Sequence, residues 1–177
     1  QAATLLGTYG NPDIKTPHID RLAKEGIQFN SHFAVNSLCS PTRATLMTGL
    51  MPSQHGIHSW LDDELLDTWP KTWSAVAEFR TLPLTLKNRG FQTALIGKWH
   101  LGTTPTGFDY SKVMINHGGQ GTYYNTVFLE NGKDTIRETK RHSTEQVAYD
   151  ALNWLDKERD KNKPFMLMYQ FKAPHRP

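Results

Sequence analysis

The sequence predicts an α/β protein built on a mostly parallel sheet. Two observations carry this. Segments with helical start and stop signals are each followed by a strand-like segment, three times along the chain. Charged and imidazole side chains are concentrated just past the ends of those strand-like segments, where open parallel sheets bind their ligands.

The first helix is predicted in "TPHIDRLAKEG". Thr16 suits the cap, Pro17 the first helical position and Gly26 the stop. "IQFNSHFAV" follows, with period-two features, and reads as a strand. A further helix runs through "TLPLTLKNRG", with Gly90 as its stop, and the strand "FQTALIG" comes next. The third helix starts near Ser143, where Ser143 and Gln146 have capping-box spacing, and it carries Val147, Ala151 and Leu155 on one face, with Ala148 and Leu152 alongside. Past the charged run "DKERDKNK", the segment "PFMLMYQF" reads as a strand buried on both faces. Between Gly102 and Arg141 lies a long excursion rich in Gly, Thr, Asn and Tyr, with a hairpin expected at "ENGK".

The 177 residues fit one domain with a real core, and 37% hydrophobic against 21% charged residues is a globular balance. No apolar run is long enough to cross a membrane. No basic, apolar leader stands at the start, so either none existed or it has been removed. The net charge of +3 comes from scattered Lys and Arg, and no nucleic-acid-binding motif accompanies it. The single cysteine excludes a disulfide framework but not secretion.

That cysteine, Cys39, lies in "NSLCSPTRATLMTGL". It is a buried filler, a metal ligand, a nucleophile or the raw material for something else. Pro41 suits the first turn of a helix, which makes Ser40 the expected cap. Cys39 then faces free amides and the positive helix end, and Arg43, one turn on, leans back over it. After "FQTALIG" comes "KWHLG". Lys98 and His100 are two apart and point to one side of extended chain, with Trp99 turned into packing. A fixed ammonium beside a titratable imidazole suits charge stabilisation with proton transfer. After "PFMLMYQF" comes "KAPHRP", with His175 and Arg176. Cys39, Arg43, Lys98, His100 and His175 are therefore expected to line one pocket at the carboxyl edge of the sheet. His55 and His58 have helical spacing, but no further ligand cluster supports a metal, so a satisfied or solvent-facing pair is expected. His117 in "NHGGQG" reads as a loop residue. Trp60, Trp69 and Trp73 read as core in preference to a sugar-stacking wall.

Three ordered motifs carry a resemblance that covers most of the chain. "CSPTRATLMTG" resembles the C-x-P-S/T-R signature of the type I sulfatases, "GKWHLG" their second signature and "KAPHRP" their later histidine segment; the opening "PHIDRLAKEGIQFNSHF" is also similar to their early helix and strand. The resemblance implies an alkaline-phosphatase-like α/β/α sandwich and a sulfuric ester hydrolase. It implies that Cys39 is oxidised to formylglycine by a dedicated generating or maturase enzyme. By the same resemblance Arg43 holds the modified residue, Lys98 and His100 contact it, His100 assists release of sulfate, and His175 binds the sulfate or protonates the leaving oxygen. It also implies a Ca²⁺ ion bound by the modified Cys39 and by carboxylates that the visible motifs do not include. Residues 1–177 are then part of a catalytic domain whose first strand and C-terminal portion lie outside it, in a periplasmic, secreted or lysosomal protein. "GGQGTYYN" and "FLENGK" resemble bacterial members that act on glycans, which points to a sulfated sugar. The alternatives are a phosphonate or phosphate monoester hydrolase of the same fold, a thiol hydrolase using Cys39 and His100 directly, or an inactive fragment that only binds anionic ligands.

Overall fold

The computed structural model describes residues 3–61, 68, 70 and 72–176. The chain divides into two compact units, Gln1–Ala34 and Val35–Pro177.

The first unit holds two short 3₁₀ turns, Ala3–Leu5 and Gly7–Tyr9, and helix α1, Pro17–Glu25. Thr16 precedes the helix as expected, but its hydroxyl does not cap. It donates to Asp20 Oδ1 at 2.8 Å and accepts from Gly7 N–H at 2.9 Å, and Asp20 also accepts from Thr8 N–H at 2.8 Å. A first-turn carboxylate and the hydroxyl bonded to it thus take one amide each from the preceding turn. The expected strand at Ile27–Val35 is absent. A strand exists only through its ladder, and among the described residues nothing pairs with this segment; side-chain bonds such as Tyr9 OH to Phe29 O (2.6 Å) hold it instead.

The second unit is a five-stranded sheet in the order β4-β3-β2-β1-β5. Its strands are β1 Gln92–Gly97, β2 Tyr110–Met114, β3 Val127–Glu130, β4 Asp134–Arg137 and β5 Phe165–Gln170. β2, β1 and β5 run parallel; β3 and β4 add an antiparallel hairpin. That hairpin is the one expected at "ENGK": three residues, 131–133, connect the strands, and Asn131 and Gly132 among them both have positive φ.

Side-chain alternation sorts the strands onto two covered faces. Leu95, Val113 and Leu129 meet Ala44 and Met47 of α2 (Cys39–Thr48), along with Val76, Trp99 and Leu101. Ala94, Ile96, Met114 and Phe128 meet Val147 and Ala151 of α5 (Ser143–Asn153), and Trp154 beyond it. Each large side chain so buried contributes about 1.5–3 kcal/mol. Helices on both faces make the α/β/α sandwich. Two short helices, α3 Pro52–His55 and α4 Leu82–Lys87, lie between α2 and β1 in the chain. Thr81 caps α4, its hydroxyl accepting from Leu84 N–H.

Three local expectations need correction. Leu38, not Ser40, is the cap position of α2, and buried Ser40 instead accepts from Leu61 N–H at 3.0 Å. His142, not Ser143, caps α5: its Nδ1 accepts from Thr144 N–H, while Gln146 turns to Asp150 at 3.0 Å. β5 is an edge strand among the described residues: Met168 and Leu167 pack partly against the two cores, but no residue of the strand is fully buried and Phe165 and Tyr169 are exposed.

Candidate active site

Three parallel strands end side by side, and the segments that leave their carboxyl ends share one cavity of about 650 Å³. Cys39, Trp60 and His100 line it. So do His117, Gln120, Tyr123 and Tyr124 from the excursion after β2, and Lys172, His175 and Arg176 from the chain after β5.

Cys39 is the first residue of α2 and is half-buried. The approach to it is fixed by Asn36, whose side-chain oxygen accepts from Leu38 N–H at 2.8 Å and whose carbonyl accepts from Thr42 Oγ1 at 2.5 Å. This small turn aims the cysteine before the helix begins. Pro41 occupies the first turn, as expected, and Gly49 ends the helix in the left-handed region, its N–H on Thr45 O.

The positive charge beside Cys39 comes from β1. Gly97 has φ 110, and a Cβ there would stand 1.9 Å from Gln170 O. Only glycine lets β1 and β5 approach this closely as the chain turns. Lys98 follows, its N–H still on Gln170 O (2.9 Å), its side chain buried and its Nζ directed to Cys39 Sγ at 3.6 Å. Burial, and after it the nearby Arg43 and Lys172, lower the Lys98 pKa, while Cys39 opposes the shift. Arg43 lies behind this pair, donating to Lys98 O at 2.7 Å and to Gln170 Oε1 at 3.3 Å. Burial lowers its pKa to about 10, so it stays a cation at neutral pH.

Trp99 turns away into the core, edge-on to Phe108 at 6.2 Å, as expected. His100 has φ 54, which swings its fully buried ring to the cavity wall. Nε2 lies 3.2 Å from Leu61 O, a contact that only a protonated nitrogen can make with a carbonyl; the neutral ring therefore carries its proton on Nε2 and its acceptor at Nδ1. Burial, then Lys98, pushes its pKa down to about 4, so the ring is neutral at pH 7. Neutral imidazole accepts protons.

His175 is half-buried. Its N–H bonds to Lys172 O at 3.0 Å and its Nδ1 lies 3.0 Å from Arg176 O. Cys39, His100 and His175 thus share the cavity. Lys98 and Arg43 do not line it; they stand behind Cys39 as its charged support.

The other sequence candidates separate cleanly. His55 is buried and satisfied, with Nε2 3.1 Å from Thr45 Oγ1 and Nδ1 accepting from Ile57 N–H, while His58 is exposed. His117 is a loop residue with φ 48, but it also lines the cavity. Trp60 was expected in the core; it is 44% exposed and lines the cavity. Trp73 is half-buried, and Trp69 lies outside the described residues. Sequence reasoning missed Lys172 and Tyr123. The first had a signal: it is a lysine just past a parallel strand, as Lys98 is.

Around Cys39 the available donors are nitrogens. Among the described residues no group of three or more His, Cys, Asp or Glu is arranged to hold a metal ion. Ca²⁺ takes six to eight oxygen ligands, so these residues do not by themselves form a calcium site.

The family model described as Sulfatase matches residues 1–177. An N-acetylglucosamine-6-O-sulfatase of Bacteroides thetaiotaomicron is 40% identical over 171 residues, covering 97% of this chain and 28% of the relative. A human steryl-sulfatase is 37% identical over 129 residues, 72% of this chain and 22% of the relative. A solved structure in complex with its substrate D-glucosamine-2-N,6-O-disulfate superposes with TM-score 0.84 at 38% identity, over 99% of this chain and 33% of that one. The chain therefore spans about a third of the length of the proteins it matches. Matched along its whole length and folded as its relatives are, it belongs to the sulfatase family.

Proposed function

We propose that this chain forms part of the catalytic domain of a sulfuric ester hydrolase that releases inorganic sulfate from a sulfated sugar. The observation that carries the reading is the ammonium of Lys98 held 3.6 Å from Cys39 Sγ beside a cavity that His100 and His175 also line. Support for a sugar comes from the named activity of the 40%-identical relative, from the glucosamine disulfate bound in the 38%-identical structure, and from Trp60 and Tyr124 exposed at the cavity. Flat aromatic faces suit the apolar face of a pyranose.

The half-buried position of Cys39 at a helix start, with cations behind it, suits its conversion to formylglycine by a generating or maturase enzyme. That residue, once hydrated, supplies one hydroxyl to attack sulfur and a second to expel sulfate. Lys98 and Arg43 offset the negative charge gathered at position 39. His175, at the rim, protonates the departing sugar oxygen. His100, neutral at pH 7, takes up the proton that must leave position 39 as sulfate departs. A calcium ion here would take a hydroxyl at position 39 as one ligand and draw the rest of its oxygen ligands from outside the described residues, and it would supply positive charge to the sulfate. We place the protein in a periplasmic, secreted or lysosomal compartment, where sulfated glycans are met.

The test compares sulfate release from an aryl sulfate with phosphate release from an aryl phosphate by the intact protein, alongside Cys39→Ser. Sulfate release should be the faster. The serine variant should lose turnover by roughly a thousandfold or more, because one hydroxyl cannot both attack and expel. Near-normal turnover in Cys39→Ser sinks the formylglycine reading, and faster phosphate release moves the assignment to a phosphate or phosphonate ester hydrolase.

A further inference from the structure

Tyr123 lines the cavity without a role in the proposed chemistry. It lies in the excursion after β2, and three kinds of contact converge on it. Its carbonyl accepts from Ser143 N–H at 2.8 Å, and its ring stacks on His142 with centroids 5.0 Å apart and 21° between planes. Both partners belong to the start of α5. That helix is itself fastened to the sheet by the buried Lys112–Asp150 pair at 2.7 Å, with Gln146 on the same carboxylate. On the cavity side, the ammonium of Lys172 stands 5.3 Å from the Tyr123 ring centroid, and the Tyr123 hydroxyl donates to the carbonyl of His175. Ala173, Pro174 and Arg176 are exposed, and no strand flanks β5 on its outer side among the described residues.

We propose that Tyr123 is a positioning residue that ties the 171–176 loop to the fixed start of α5, setting where His175 and Lys172 stand in the cavity. The inference deepens the hydrolase reading and rests on it for its kinetic arm. The hydroxyl-to-carbonyl bond sets the position of the His175 backbone, and the cation–π contact sets the Lys172 side chain. A proton donor displaced by an ångström loses much of its effect on rate.

The experiment is Tyr123→Phe in the intact protein, with His175→Ala and the double variant. Phenylalanine keeps the ring contacts with His142 and Lys172 and removes only the hydroxyl. We expect kcat for sulfate release to fall about tenfold with KM within about twofold and an unchanged melting temperature. The double variant should be no slower than His175→Ala alone, since one residue acts through the other. Amide exchange should rise in the peptide spanning 172–176 and stay unchanged in α5. Additive kinetic losses, an unaltered kcat, or unaltered exchange at 172–176 each overturn the proposal. If the wild-type protein releases no sulfate, the hydrolase reading fails by itself, and the exchange measurement alone then decides whether Tyr123 holds the loop.

Discussion

The segments leaving β1 and β5 start side by side, since Gly97 and Gln170 are register partners, yet one is sealed and the other open. From Lys98 to Gly102 every residue is buried, with His100 at 0% exposure. From Phe171 to Arg176 only Lys172 is buried. The cause is position in the sheet. β1 has strands on both sides and helices on both faces, whereas β5 has a neighbour only in β1 among the described residues. Charges placed in the sealed segment are desolvated and fixed, so they act strongly and cannot adapt. Groups on the open segment meet the variable part of a ligand and depend on side-chain ties for their place. The difference divides the cavity into an electrostatic floor and an adjustable rim.

The largest test of that division is Lys98→Met, which keeps the buried stem and removes the charge. Turnover of a sulfate ester should fall by roughly a hundred- to a thousandfold, the scale on which a preorganised stabilising group is lost. The fold should survive, because methionine fills the same space. A drop below tenfold, measured as kcat/KM on the folded variant, removes the floor from the comparison.

A second test concerns why the β1 side is rigid. Asp109 accepts from Thr93 N–H at 2.9 Å and Thr93 Oγ1 at 3.1 Å, and pairs with Lys87 of α4 at 2.7 Å. Burial by itself raises its pKa, but the bonds from Lys87 and Thr93 outweigh it and hold the carboxyl below its usual value. A depressed folded-state pKa means that the stabilisation is present above the unfolded-state value of about 4 and is lost as pH falls through the lower folded-state value. Asp109→Asn should therefore cost about 1–2 kcal/mol at pH 7, discounted for partial exposure, and little near pH 2. Urea melts of both proteins at the two pH values check this; an equal loss at both breaks the link to ionisation.

The smallest expected effect lies on the rim. Lys172→Met should raise KM about tenfold for a sulfated sugar and leave kcat within about threefold, as for loss of one charged contact that binds substrate and transition state alike. A kcat loss as deep as that of Lys98→Met assigns Lys172 to the floor.

How much of this was legible in the sequence follows the same line. The floor was legible because it is local. The proline and arginine after Cys39 mark a helix start, and the residues after Gly97 follow a strand whose apolar run is unmistakable. The rim was not. Tyr123, Gln120 and His117 belong to an excursion whose path is set by glycines at positive φ and by docking against α5, and no periodicity encodes that. Trp60 was assigned to the core because composition does not say which side of a turn is covered. The two strand errors share a cause. Ile27–Val35 has strand-like side chains without a ladder, and β5 has a core-like run at an edge; both depend on partners that a single segment does not specify.

The open side of β5 also bears on how the cavity comes together in time. Leu167 of β5 pairs with Ala94, roughly 70 residues back, whereas Leu129 of β3 pairs with Val113, about 16 back, and closing the longer span costs roughly 1 kcal/mol more chain entropy. The β2–β3–β4 meander is made of near neighbours and is the inexpensive part of the sheet to assemble. The seam between β1 and β5, crossed at Gly97 with no room for a methyl group, is the costly part, and His175 lies beyond it. The His175 side of the cavity therefore depends on the pairing in this sheet that chain entropy makes most expensive.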